Sequence, residues 1–225
     1  IKVGSTNSGV DPQFTANITG AQSAGLKTGI YLYSYATTPE QAQQEANLVL
    51  QWIEGYTVNY PIVFDIEDKC HKNLSNQQLI DIINAFCTTI DAAGYYPMVY
   101  SYKNMFDTKL SICGWDRWVA QYNSSCGHTN NVCFWQYSSS GKVNGFSGRV
   151  DVNYQFKDYS NLIISDGFIE HNGNVRFYRN WKMQKGWVDF NDTRYYLDGA
   201  GNLVELLVVL MRPHIGGNGG GQRVE

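Results

Sequence analysis

The stretch YPIVFDIED (residues 60–68) decides the fold. Its run Ile62-Val63-Phe64 is apolar at every position, as in a strand covered on both faces, and it ends abruptly in Asp65, Glu67 and Asp68. Such strands belong to parallel sheets flanked by helices, and the segments on either side alternate accordingly. Upstream, TGIYLYSYA (28–36) is β-rich, and Thr38-Pro39-Glu40 opens a helix whose apolar face is Ala42, Ala46, Val49, Leu50 and Ile53. Before it, Asp11-Pro12 opens a helix carrying Phe14, Ile18, Ala21 and Ala24. Downstream, Ser75 caps a helix with Leu79, Ile82, Ile83, Phe86 and Ile90 inward. YYPMVYSY (95–102), DRWVAQYN (116–123), VCFWQYSS (132–139) and RVDVNYQF (149–156) read as the remaining strands. The pattern predicts an α/β fold, an irregular TIM-like (β/α) barrel over residues 1–160, its last strands lacking long helices between them. The opening IKVG (1–4) reads as the end of a strand, so the chain is expected to start inside a longer protein and to lack the first barrel strand.

Residues i and i+2 of a strand face the same way, so Asp65 and Glu67 point into one space, their Cα atoms about 6.6 Å apart. Barrel active sites form at strand carboxyl ends. Two carboxyls there titrate unlike one another: one keeps a proton near neutrality while its neighbour ionises, as glycoside cleavage requires. An isolated D-x-E also caps loops, but the apolar lead-in and the rings and amides at other strand ends favour chemistry. Those are Tyr33, Tyr35, Tyr100, Tyr102, Gln121, Tyr122, Trp135, Gln136 and Tyr137, suited to stacking on sugars and bonding hydroxyls. Asp151 and Asn153 repeat the i, i+2 spacing on the last strand, to hold a sugar or orient Glu67.

Beyond residue 165 the texture changes. Gly167-Phe168-Ile169 recurs as Gly186-Trp187-Val188, a period of nineteen, and Phe177-Tyr178 is echoed by Tyr195-Tyr196. Asn172-Gly173 and Asp198-Gly199 supply hairpin turns. Residues 165–205 therefore read as a small all-β module of hairpin repeats, and 206–225 as a disordered tail.

Composition closes off several classes. Twenty acidic against seventeen basic residues leave a net charge of −3, contrary to an electrostatic nucleic-acid binder. The longest apolar run, Leu206–Met211, is far short of a membrane span. Of the five Cys, Cys126 and Cys133 bracket a possible hairpin and could pair, or all could be buried thiols; no C-x-x-C spacing supports zinc with Cys113 and His128, and no metal or cofactor is predicted. A rival reading joins the D-x-E to Tyr154 and Asp158 as the acid cluster of a metal-dependent nuclease.

AGLKTGIYLYSYA (24–36), YPIVFDIED, GYYPMVYSYKNMF (94–106), RWVAQYN (117–123) and FWQYSSSGKVNGFSGRVDVNYQF (134–156) follow in an order that resembles glycoside hydrolase family 25, the lysozyme-type muramidases. That resemblance implies an irregular barrel that hydrolyses the β-1,4 bond between N-acetylmuramic acid and N-acetylglucosamine in peptidoglycan. It implies Glu67 as proton donor, Asp65 as partner acid and Asp151 as the acid of the last strand. It also implies a further Asp on a first strand in a G-x-D-x-S context, absent here, so activity and stability are expected to be impaired, and a non-catalytic wall-binding protein is the alternative. WKMQKGW (181–187) and YYLDGAGNLV (195–204) resemble choline-binding or glucan-binding repeats, with Trp181, Trp187, Tyr195 and Tyr196 as candidate contacts to a wall glycan or teichoic acid. The resemblance implies a secreted or wall-associated monomer without cofactor.

Overall fold

Each long helix of the barrel unit begins where a side chain caps it. Thr38 accepts from the Gln41 backbone N–H ahead of Pro39, and Ser75 and Gln78 form a reciprocal capping box. In the computed structural model, which describes residues 1–171 and 173–207, these caps open α2 (Pro39–Trp52) and α3 (Asn76–Ala92). α1 (Phe14–Ser23) precedes them, and a short α4 (Lys103–Thr108), too brief to register as a periodic face, follows β5.

The strands are β1 (Lys2–Ser5), β2 (Gly9–Val10), β3 (Ile30–Tyr33), β4 (Ile62–Asp65), β5 (Pro97–Tyr102), β6 (Arg117–Ala120), β7 (Val132–Gly141) and β8 (Val150–Gln155). They form one eight-stranded sheet in the order β2-β1-β3-β4-β5-β6-β7-β8. From β1 through β3 to β7 every ladder is parallel, because each connection from β3 to β6 crosses over through a helix or loop on the outer face. β8 returns antiparallel through the short 142–149 connection. Among the described residues β8 pairs with neither β1 nor β2, yet the sheet curls far enough for β8 to reach side chains of the middle of the sheet across the interior. Trp118 Nε1 donates to Asn153 Oδ1 at 2.8 Å, and Tyr60 OH donates to Gln155 Oε1 at 2.8 Å.

Strand alternation separates two cores. Outward residues Val3, Ile30, Leu32, Ile62, Phe64 and Val99 pack against Phe14, Val49, Ile83 and Phe86 of the helices, with Phe64 stacked on Phe86 at 4.3 Å. Inward residues Val63 and Met98 join Tyr159 and Ile163 to fill the end of the barrel where the strands begin. The five cysteines are free thiols, so the open possibility of a Cys126–Cys133 pair is settled against: Cys126 faces the His128 carbonyl, and Cys133 is buried in the inner core.

The remaining strands are β9 (Asp166–His171), β10 (Asn174–Arg179), β11 (Lys182–Met183), β12 (Gly186–Phe190), β13 (Thr193–Leu197) and β14 (Leu203–Leu207). They form two three-stranded antiparallel sheets around Phe177, Val188 and Leu197. The nineteen-residue echo corresponds to the hairpins β9–β10 and β12–β13. Of the anticipated turn residues, Asn172 lies outside the described residues, as do 208–225 of the tail. A turn absent from the sequence reading, Asn191-Asp192, takes positive φ at both positions, as a two-residue hairpin with right-handed strand twist demands.

This hairpin unit rests on the barrel pole where the strands begin. Met183 N donates to Gly94 O at 2.9 Å, Lys185 Nζ donates to Ala92 O, and Trp181 packs into the inner core beside Tyr159. Gly94 has φ +88°, and a Cβ there would fall 2.5 Å from the Met183 carbonyl oxygen, so only glycine allows this approach.

Candidate active site

Registered pairing builds the site across the sheet. Tyr33 of β3 lies opposite Asp65 of β4, Asp65 opposite Tyr100 of β5, and Tyr100 opposite Trp118 of β6, so four inward side chains form one row at the strand carboxyl ends. The backbone at Asp65 is held from both sides: its carbonyl accepts from Ser34 N, and Ile66 N donates to Tyr100 O. Ser101 Oγ donates to the Ile66 carbonyl at 2.7 Å, which keeps the chain extended past the strand end and delivers Glu67 to the same side as Asp65. The resulting cleft, of about 290 Å³, is lined by Tyr31, Tyr33, Asp65, Glu67, Tyr100, Trp118, Gln136 and Asp151.

Both central carboxyls hold protons more tightly than usual. Burial, then the neighbouring Glu67, pushes Asp65 up to about 8, and its Oδ1 has no hydrogen-bond partner. Burial, then Asp151 and Asp68, raises Glu67. Asp68 goes the other way: the Cys70 backbone N–H donates to it and holds it below the ordinary carboxylate range, and Tyr33 OH also donates to it at 3.2 Å. Tyr100 OH donates to Gln136 Oε1 at 2.6 Å, orienting the amide toward the cleft.

The raised Asp65 carries a stability consequence. The folded chain binds a proton there that the unfolded chain releases above its ordinary value of 3.8, so stability falls as pH rises from about 4 toward 8. Asp65→Asn removes that dependence. The variant is expected to unfold at higher denaturant than the parent at pH 8 and at nearly the same denaturant at pH 4; equal midpoints at both pH values would contradict it.

The other anticipated residues are distributed more widely. Tyr35 packs on Tyr33 at 5.2 Å between ring centres, and Tyr122 is 60% exposed within electrostatic reach of Tyr100. Tyr102 packs against the outer core. Gln121 is engaged in its own loop, where its Oε1 accepts from Gly127 N and its carbonyl from Trp135 Nε1. Trp135 and Tyr137 alternate with the inward Gln136 and so face outward, stacking with Tyr154. Asn153 points inward but lower, onto Trp118. The acids imagined for a nuclease do not converge: Tyr154 is on the outer face, and Asp158 binds Ser160 beyond β8. Tyr31 and Trp118 line the cleft although the sequence reading passed over them; Tyr31, two residues before Tyr33, carried the same-face signal.

Of the four rings expected to hold a wall polymer, Trp187 and Tyr196 form an exposed cross-strand pair at 5.0 Å. Tyr195 lies in the hairpin core against Phe168 at 4.5 Å, and Trp181 is packed into the barrel. The nearby Arg194 is neutralised by a two-pronged bond to Asp189.

Comparison with known proteins bears on this cleft. The sequence signature of the family "Glycosyl hydrolases family 25" matches residues 1–146. The "Autolytic lysozyme" of Clostridium acetobutylicum is 30% identical over 153 residues, which cover 67% of this chain and 44% of that protein. The uncharacterized protein YegX of Escherichia coli K12 is 29% identical over 149 residues, covering 64% of this chain and 53% of that one. The chain thus spans about half the length of the curated relatives it matches. The structure of the modular autolysin LytC from Streptococcus pneumoniae superposes with a TM-score of 0.61 at 31% identity, over 68% of this chain and 39% of that one.

Proposed function

The chain belongs to glycosyl hydrolases family 25, and from that premise we propose that it is a peptidoglycan muramidase, hydrolysing the β-1,4 bond between N-acetylmuramic acid and N-acetylglucosamine. The observation that supports this most directly is the inward pair Asp65 and Glu67, both carboxyls held above their ordinary range in a cleft of rings and amides. Glu67 gives its proton to the departing glycosidic oxygen, then as a carboxylate takes one from the attacking water. Asp65 faces the sugar as positive charge develops there. Once ionised, a carboxylate this deeply buried stabilises a cation forming beside it more than it does the neutral substrate. Asp151, which acts electrostatically on Glu67, helps keep the proton on the acid. Tyr33, Tyr100 and Gln136 supply stacking and hydrogen bonds. Incubating the chain with purified peptidoglycan and assaying new reducing ends at muramic acid tests the reading; no release would refute it.

The hairpin unit is the wall anchor of this enzyme, a secreted or wall-associated monomer. Its contact to a wall glycan or teichoic acid is the exposed Trp187–Tyr196 pair, an apolar platform beside an ion pair that leaves no net charge. The choline-type or glucan-type repeat resemblance and the free ring faces support this. Replacing both rings, Trp187→Ala with Tyr196→Ala, is expected to weaken co-sedimentation with intact walls about tenfold, ~1.4 kcal/mol. Hydrolysis of soluble glycan fragments should be unaffected. Undiminished wall binding would remove these rings from the anchor.

A further inference from the structure

The cleft gathers three carboxyl groups, Asp65, Glu67 and Asp151, and none of its described lining residues is a cation. Asp65 is faced by Glu67 on its own strand end, by Tyr31 and Tyr33 from β3, by Tyr100 from β5, and across the cleft by Asp151; Asp68 follows in the loop. None of these stabilises an Asp65 carboxylate by charge.

Among the described residues a cation reaches Asp65 from β1, two strands away. Lys2 is registered opposite Tyr31, and its neighbour Val3 is fully buried on the helix side, so alternation turns Lys2 toward the interior. Its half-buried side chain places Nζ 5.8 Å from the centre of the Tyr33 ring, the ring that lies opposite Asp65 in the β3–β4 ladder. Lys2 is also the positive charge acting on Asp65 against burial and Glu67. A cation over a ring face stays charged and in place at small cost, because the ring replaces part of its hydration.

We propose that Lys2 is a positioning residue for the acid pair: its ammonium, held over Tyr33, favours the Asp65 carboxylate against its protonated form and so draws the pair's proton toward Glu67. The proposal rests on the muramidase reading for its consequence in catalysis, but its electrostatic content can be measured in the resting protein. Without Lys2 the proton shifts toward Asp65, and the acid required at the departing oxygen is depleted.

The test is a carboxyl ¹³C NMR titration of Asp65 in the parent, Lys2→Met and Lys2→Arg chains, together with pH profiles of kcat and KM on peptidoglycan. Lys2→Met is expected to raise the Asp65 midpoint by about one pH unit, a tenfold tighter proton. The acidic limb of kcat should move upward by a similar amount with little change in KM, and Lys2→Arg, which keeps the charge, should restore both. If Lys2→Met does not fold, Lys2→Gln serves. An Asp65 midpoint that stays within 0.2 pH unit (~0.3 kcal/mol) overturns the proposal, as does a loss of kcat equal at every pH. If the parent releases no reducing ends, the muramidase reading fails, and the titration alone decides the role of Lys2.

Discussion

Glu67→Gln is expected to lower reducing-end release from peptidoglycan by about 10²–10⁴-fold, the range over which positioned acid–base groups act. The amide keeps the size and hydrogen-bonding reach of the carboxyl, and Glu67 is half-buried at a strand end rather than in the core, so the unfolding midpoint should stay close to that of the parent. What is lost is the proton. Asp65 cannot replace it by proximity, because its carboxyl is sunk one pleat deeper and is nearly inaccessible, at 5% exposure. Removing Glu67 also removes a negative neighbour from Asp65, whose midpoint should fall in the same titration. A variant retaining more than a tenth of the parent rate would take the proton-donor role away from Glu67.

Asp116→Ala is expected to cost about 3–5 kcal/mol of stability, as breaking a buried ion pair by removing one partner does. Asp116 precedes β6, at the pole opposite the cleft, and is 9% exposed. It accepts from Lys157 Nζ at 2.8 and 3.0 Å, from Tyr96 OH at 3.0 Å and from Tyr159 OH at 2.8 Å. These donors arrive from the approach to β5 and from the chain after β8, so one carboxylate joins the middle of the sheet to its end. Alanine would strand an ammonium and two hydroxyls beside the apolar contacts of Tyr159 with Phe134 and Tyr60. Asp116→Asn, which still accepts from the tyrosines, should lose less. Urea unfolding of the three chains measures the effect; a loss below about 1 kcal/mol for Asp116→Ala would show that the strand ends are held by packing alone.

The two predictions lie at opposite poles, and so does the division of labour within each strand. In β4 the outward Ile62 and Phe64 join the helix core, the inward Val63 joins the lower core, and the inward Asp65 opens the cleft. That assignment was legible from YPIVFDIED because a run apolar on both faces has few places to go except a covered parallel sheet, and acids at its end must emerge at a pole. Capped helices at Thr38 and Ser75 were legible for a similar reason: the signal and the interaction are local.

Rings carry no such local direction. Gln136 enters the cleft while its neighbours Trp135 and Tyr137 turn outward, and composition alone ranks all three as sugar contacts. Trp187 and Trp181 are only six positions apart, yet one is 55% exposed and the other is packed into the barrel by a docking geometry that Gly94 permits. Lys2 could not be singled out at all, since its nearness to Asp65 passes through β3, a strand about thirty residues away in sequence.

By itself, then, the sequence determined the alternation of strands and helices, the carboxyl-end position of Asp65 and Glu67, and the change to antiparallel hairpins toward the C-terminus, because periodicity and capping act over a few residues. Only the tertiary structure decided which rings share the cleft, how strongly the acids hold their protons, and where the hairpin unit rests. Those properties depend on register between strands, on burial, and on charges brought together from distant parts of the chain.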